Sequence, residues 1–316
     1  MRKLLITRPL PDAVLQAAKA RYDTTMRDNT TPLSQVELRA ALRDYDAVLP
    51  TLGDLFRADV FADVPNPRAK ILANFGVGYN HIDAAAARTA GIAVTNTPGA
   101  VTDATADIAM TLLLMTARRA GEGERLVRAG GWAGWHPTQM LGTHVTGATV
   151  GIIGMGRIGK AIARRCHFGF GMDVVFHNRS VVDDAGCPAR QVPMVQAMAA
   201  DFVIAAVPGG PATHHLINAK VLAYMRPQGI LINISRGDVV DEAALIAVLQ
   251  TGQIAGVGLD VYEFEPKVPA ALQAMENVAL LPHLGTAVPQ VRQAMGMMAV
   301  ANLTAHLDGK PLPNAV

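Results

Sequence analysis

Three residues in the C-terminal half of the chain have types and positions suited to chemistry. Arg236 follows the apolar run at 230–234 in NISRGDVVDE, Glu265 follows the run ending at Leu259 in LDVYEFEP, and His283 ends LLPH. A guanidinium is a planar, permanently charged fork that fits a carboxylate or a carbonyl oxygen. An imidazole gives or takes a proton near neutral pH. A carboxylate beside the imidazole orients the ring and favours its protonated form. Such a set can hold an anionic molecule and deliver a proton to an oxygen that gains charge. Each residue also has a plainer reading: Arg236 caps a carbonyl, Glu265 is a solvated turn residue, and His283 is a hydrogen-bonded structural histidine. Their common placement favours chemistry, because each follows a strand pattern and open α/β sheets bind ligands beyond the carboxyl ends of their strands.

The element that would position them is ATVGIIGMGRIGKAIARRC, residues 148–166. A short β-branched run turns through Gly154, Gly156 and Gly159 into a segment with apolar residues at helical spacing. Free backbone N–H groups and the positive end of a helix dipole then meet at one point, which suits a diphosphate. Gly154 permits the turn, Gly156 lets the diphosphate approach, and Gly159 lets helix and strand pack closely. A second strand at 173–177 completes a βαβ unit that predicts a dinucleotide site, the alternative being a tight turn without a ligand. NAD-binding folds usually end that second strand in Asp or Glu, which holds the ribose 2′-hydroxyl. Here Asn178 stands there, followed by Arg179 and Ser180. The missing acid and the added cation predict NADP(H), with NAD(H) used less efficiently.

The first hundred residues alternate strand and helix patterns, with strands at 4–7, 47–50, 71–74 and 92–95, helices at 11–21 and 83–90, and a capping box of Ser34 with Glu37. Gly76 and Gly78 in FGVGYNHID form either an anion-binding backbone nest or a plain tight turn. An apolar helix at 102–119 is expected to be buried between domains or subunits. A glycine-rich arm follows, carrying Trp132 and Trp135 as packing or interface anchors. Further strands at 202–207, 229–234, 256–259 and 278–281 alternate with helical patterns, and the tail is helical to about residue 307. The fold class is α/β: two Rossmann-like domains with doubly wound parallel sheets and a cleft between them. Residues 1–99 with 286–316 form a discontinuous substrate domain, and residues 100–285 the dinucleotide domain.

Composition narrows the field. Half of the 316 residues are hydrophobic, only 5% are aromatic, and the net charge is +2. The basic residues are scattered, so no footprint for nucleic acid or an anionic membrane is expected. No apolar run reaches a membrane span, and that of MRKLLITRPL is too short for a signal peptide. Two cysteines are too few for a disulfide framework or a cysteine metal site, and no metal is expected. A cytoplasmic location is the default.

The motifs NFGVGYNHID, NTPGAVTDATAD, GIIGMGRIGKAIARR, NISRGDVVDE, GLDVYEFEP and PHLGTA together cover nearly the whole chain. In them the sequence resembles the D-isomer-specific 2-hydroxyacid dehydrogenases, most closely their glyoxylate/hydroxypyruvate reductase branch. The resemblance implies reduction of a small 2-oxo acid to the D-2-hydroxy acid, with Arg236 binding substrate, His283 as acid/base and Glu265 as its partner. It implies that Val77 and Gly78 offer N–H groups to the substrate carboxylate. Leu52 and Trp135 are expected to shape the pocket. It places Met155, Arg157 and Ile158 with the three glycines at the diphosphate. Val77, Thr105, Val207, Pro208, Thr213, Ile234, Ser235, Arg236, Asp260, His283 and Gly285 would surround the rest of the cofactor. It also implies a homodimer built on the nucleotide domain. Gly209-Gly210 depart from the Leu-Thr type of loop usual in the family. Two alternatives stay open: a reductase of a larger, sugar-derived 2-keto acid, and a dinucleotide-sensing interaction protein akin to the family's co-repressor relatives.

Overall fold

The computed structural model describes residues 1–316. They form two compact units, Met1–Val101 with Ala287–Val316, and Thr102–Thr286. The first unit holds β1 (Lys3–Ile6), α1 (Asp12–Lys19), β2 (Asp23–Met26), α2 (Gln35–Asp44), β3 (Ala47–Leu49), α3 (Ala58–Ala62), β4 (Ile71–Ala73), α4 (Ala84–Thr89) and β5 (Ala93–Thr95). The second begins with α5 (Thr102–Ala117) and α6 (Ala120–Arg128), then β6 (Thr149–Ile153), α7 (Arg157–Arg164), β7 (Asp173–His177) and β8 (Arg190–Gln191). It continues with α8 (Met194–Met198), β9 (Phe202–Ala205), α9 (Ala219–Leu222), β10 (Ile230–Asn233), α10 (Glu242–Gln250), β11 (Gly256–Leu259), α11 (Ala270–Gln273) and β12 (Val278–Leu280). α12 (Pro289–Leu307) returns to the first unit and packs on α1 and β4.

Both sheets are parallel. The order is β2-β1-β3-β4-β5 in the first and β12-β11-β10-β9-β6-β7-β8 in the second. Each order reverses once, beside β1 and beside β6, and such reversals open a crevice at the carboxyl ends of the strands. The strands are short and nearly all apolar, as expected for strands covered on both faces. Helix starts follow their capping chemistry. Ser34 Oγ accepts the Glu37 amide while Glu37 Oε2 accepts the Ser34 amide at 2.8 Å. Asp83, Asn218 and Asp241 cap α4, α9 and α10. A cap of this kind contributes about 1 kcal/mol.

Several elements differ from the sequence expectations. β2 and β8 carry no hydrophobic pattern, being polar strands at sheet edges. The arm after α5 begins with a helix, α6, built from GEGERLV despite two glycines. α5 is buried by its own unit: it packs on α7, β10, β11 and β12, which leaves Leu112 and Leu113 without exposure. The buried positions of α5 are thus covered within its own unit, while Ile108, Leu114 and Met115 stay partly exposed.

Close backbone approach shapes the second core. A Cβ at Gly151, inside β6, would lie 1.9 Å from the Ala197 carbonyl oxygen at the end of α8. Gly151→Ala should therefore destabilise the protein by about 1–3 kcal/mol, as overpacking does. At Gly252, where φ is +67° and a Cβ would meet nothing, Ala should cost less. Urea denaturation of the two variants beside the unsubstituted chain measures the difference, and equal midpoints would refute the steric account.

Candidate active site

The glycine turn between β6 and α7 sits at the reversal point of the second sheet. Gly154 has φ +101°, in the left-handed region, and its Cβ would meet the Ala206 carbonyl oxygen at 2.7 Å. At Gly159 a Cβ would lie 2.1 Å from the Gly154 oxygen, so helix and strand can pack this closely only through glycine. Gly156 differs, because a Cβ there would enter open space. It is the N-cap of α7 and makes no side-chain cap, so the first amides of the helix, from Arg157 and Ile158 onward, are not capped by it. This arrangement fits a diphosphate, which would take the open space over Gly156 and accept from those amides. At the end of β7, Asn178 Oδ1 accepts the Met155 amide at 3.2 Å, tying the strand end to the turn. Its Nδ2 donates to Ser180 O and Oγ at 2.9 and 3.1 Å. Arg179 is exposed and forms no salt bridge.

The loops after β9, β10, β11 and β12 form a second cluster. Ser235 Oγ accepts the Val207 amide at 3.0 Å, linking the loop that carries Pro208 to the one that carries Ile234 and Arg236. Asn233 braces the latter, accepting from the Ser235 amide at 3.0 Å and donating to the Arg236 carbonyl at 2.9 Å. A Cβ at Gly237 would overlap the Tyr262 backbone at 1.8 Å, which brings the loops after β10 and β11 into backbone contact. The unusual Gly209 gains a reason here: a Cβ would lie 2.5 Å from Arg236 Cγ, so glycine leaves passage for the arginine side chain. Thr213 closes the same loop by donating to Pro208 O at 2.7 Å.

Glu265 and His283 meet at 2.8 Å, through Oε2 and Nδ1. Glu265 Oε1 accepts the Tyr262 amide at 3.0 Å. Burial pushes the Glu265 carboxyl up, but His283, the Tyr262 amide and Arg236 together hold it below the usual glutamate range. Burial pulls the Arg236 guanidinium down, and the charges of Glu265 and Asp238 oppose that shift. Arginine starts so high that it stays charged. His283 has φ +55°, and its amide donates to the Asp260 carbonyl at 3.0 Å. The buried Asp260 carboxylate accepts the Leu284 and Gly285 amides at 2.6 and 2.8 Å, and Thr105 donates to the Gly285 carbonyl at 3.1 Å. With Nδ1 engaged, Nε2 is the histidine nitrogen left for a reacting molecule.

In the first unit the turn at 76–78 has its carbonyls drawn to one side. Asn74 Nδ2 donates to Gly76 O and Gly78 O, and Asn96 Nδ2 to Val77 O. The amides of Val77 and Gly78 have no protein acceptor, as an anion-binding nest requires. The loop holding Leu52 is pinned by the fully buried Asp54, which accepts from Thr7 Oγ1 at 2.6 Å and from the Thr51 and Leu33 amides at 2.9 and 3.0 Å. Arg8 adds a contact to Asp54 at 3.5 Å and donates to Leu52 O at 2.5 Å. The sequence reading missed Arg8, Asp54, Asn74 and Asn96. Asp54 closing TLGD was the available signal, as an acid among apolar strand ends. Trp132 and Trp135 are 54% and 79% exposed in the single chain, and Leu52 is 40% exposed.

Comparison with known proteins accords with this arrangement. Residues 110–285 match the family model described as D-isomer specific 2-hydroxyacid dehydrogenase, NAD binding domain. The chain is 41% identical over 323 residues to the glyoxylate reductase of Thermococcus onnurineus, covering 99% of this chain and 95% of that protein. It is 34% identical over 320 residues to the glycerate dehydrogenase of Hyphomicrobium methylovorum, covering 100% and 99%. Among solved structures it resembles the NADPH-dependent glyoxylate/hydroxypyruvate reductase of Sinorhizobium meliloti in complex with NADP and malonate. The TM-score there is 0.88 and the identity 37%, over 100% of this chain and 96% of that one. A glycine turn fitted to a diphosphate, a paired carboxylate and imidazole, and relatives matched over their whole length lead to one conclusion: the chain belongs to the D-isomer-specific 2-hydroxyacid dehydrogenases, a family of nicotinamide-dinucleotide-dependent oxidoreductases.

Proposed function

We propose that the chain reduces glyoxylate and hydroxypyruvate to the D-2-hydroxy acids, with NADPH preferred. The hydrogen bond of 2.8 Å between Glu265 and His283 carries this reading. The substrates are those in the names of its relatives. The bound nicotinamide supplies the hydride. Arg236 lies across the carboxylate and carbonyl oxygen of the 2-oxo acid, and its charge draws electron density toward that oxygen. The amides of Val77 and Gly78 serve as further carboxylate donors. His283 gives the Nε2 proton to the oxygen as it becomes an alkoxide. Glu265 does not touch the substrate; it positions the ring and offsets the imidazolium charge.

The cofactor preference rests on the end of β7. The Asn178 carboxamide is engaged by Met155 and Ser180, so no negative charge faces a 2′-phosphate there. The exposed Arg179 and the Ser180 hydroxyl supply a cation and a donor. At ~4 Å a unit charge pair is worth about 1–4 kcal/mol between water and a partly screened site. That corresponds to a preference of roughly ten- to a thousandfold. We also propose a homodimer in which the arm after α6 packs on the partner's nucleotide-binding unit, since Trp132, Trp135 and Leu141 stand largely exposed on one chain.

Four outcomes test these assignments. His283→Gln should lower kcat by roughly a hundredfold or more. Glu265→Gln should keep part of the activity and lower kcat with little change in KM, because the ring is no longer held by a carboxylate while the substrate contacts remain. A change confined to KM would leave Glu265 without a role in positioning the ring. Asn178→Asp should shift preference toward NADH, and Arg179→Ala should weaken NADPH far more than NADH. Equal kcat/KM for both cofactors in the unsubstituted chain would sink the NADPH assignment. Light scattering at micromolar concentration should find a dimer, and a fully active monomer would refute the arm's role.

A further inference from the structure

A second constellation lies on the same unit, in side chains that the proposed reaction does not use. The loop after β9 carries His214 and His215, and the loop after β11 carries Glu263. His215 Nε2 and Glu263 Oε1 are 2.9 Å apart. The two imidazoles stack at 4.0 Å with 25° between their planes. One donor atom from each of the three residues lies within 4.8 Å of the others.

The backbone holds this group in place. His215 has φ +48°, and its amide donates to the Asp238 carbonyl at 2.7 Å. Glu263 Oε2 accepts the Glu242 amide at 3.4 Å, which leaves Oε1 turned to the ring. The Glu263 side chain is only 14% exposed, whereas His214 is open to solvent. Glu242 is itself nearly buried, and its Oε2 accepts the Glu263 amide at 3.4 Å, so a second carboxylate lies beside the group. Two imidazoles and a carboxylate are a donor set for a borderline divalent cation rather than for calcium or magnesium, which take oxygen ligands. Bonds of about 2.0–2.2 Å in a tetrahedron put neighbouring ligand atoms about 3.3 Å apart. The His215–Glu263 pair is already close to that spacing, and the exposed His214 has freedom to turn its ring inward. Solvent would fill the fourth position.

We propose that His214, His215 and Glu263 form a binding site for a divalent cation of the zinc class, which clamps the loop after β9 to the loop after β11. The clamp would lie two residues from Glu265 and one from Thr213, so the cation would restrain both loops.

Titration of the full chain with zinc chloride, by calorimetry and by competition with a chromophoric chelator, tests the proposal without reference to turnover. The unsubstituted chain should take up about one equivalent through these ligands, with a melting temperature that rises as zinc is added. His214→Ala removes an exposed ring and should leave the metal-free melting temperature unchanged. It should weaken binding at least roughly tenfold and abolish the thermal shift. Glu263→Gln keeps the side chain's shape and should weaken binding comparably. Unchanged affinity in either variant would overturn the proposal, as when zinc sits on His283 and Glu265 instead. No saturable binding up to roughly 1 mM would overturn it too. Each result is independent of whether the chain reduces glyoxylate.

Discussion

The Asp260 carboxylate is 2% exposed, and it is from this buried charge that the working end of the second sheet is built. Burial pushes its pKa up, and the amides of Leu284 and Gly285 pull it back down. Two charge-assisted bonds of this kind offset part of the cost of removing a carboxylate from water, and burial still leaves the carboxyl above the usual aspartate range. They also fix the chain just after His283, whose amide is bound to the carbonyl of the same aspartate. The ring of His283 is thereby presented to Glu265, and Glu265 is held in turn by the Tyr262 amide. The Tyr262 hydroxyl donates to Leu281 O at 2.9 Å, tying the loop after β11 back to β12. The Glu265–His283 pair is therefore the visible part of a backbone-anchored network.

Much of this was legible in the sequence, and the reasons are physical. Glycines 154, 156 and 159 are spaced as a diphosphate turn demands; a Cβ at 154 or 159 would run into backbone, and one at 156 would enter open space. The capping residues Ser34, Asp83 and Asp241 stand directly before their helices. Arg236, Glu265 and His283 could be read as strand-end residues because the strands before them are apolar and short. What escaped the reading depends on neighbours distant in the chain. Arg8 and Asp54 are 46 positions apart, and only the pairing of β1 with β3 brings them together. The polar β2 has no pattern of its own and is a strand only because β1 offers it an edge. The apolar α5 was legible as buried, but its partner was not, since hydrophobicity marks burial and does not name the covering surface.

Gly209 illustrates how a departure from a family pattern can have a local cause. Its missing side chain makes room for Arg236, and Gly210 beside it adopts φ +133°. The loop that follows runs through Thr213 to the two stacked histidines. One segment thus serves the arginine, the proposed cofactor contact and the proposed cation site, so changes in it are expected to be felt in more than one property.

The return of α12 to the first unit has a consequence for synthesis. Val14 on α1 packs on Gly296 so tightly that a Cβ there would lie 2.4 Å from it, and the Tyr22 hydroxyl donates to Leu303 O at 2.8 Å. Neither contact exists until the ribosome has passed the inserted residues 102–286, which takes roughly 10–40 s at ordinary elongation rates. During that interval the first hundred residues wait with an apolar face uncovered, while the inserted unit has its whole sheet available to fold. Residues 1–101 of the nascent chain are therefore exposed to aggregation and chaperone capture throughout that interval, and α12 is the element that ends the exposure.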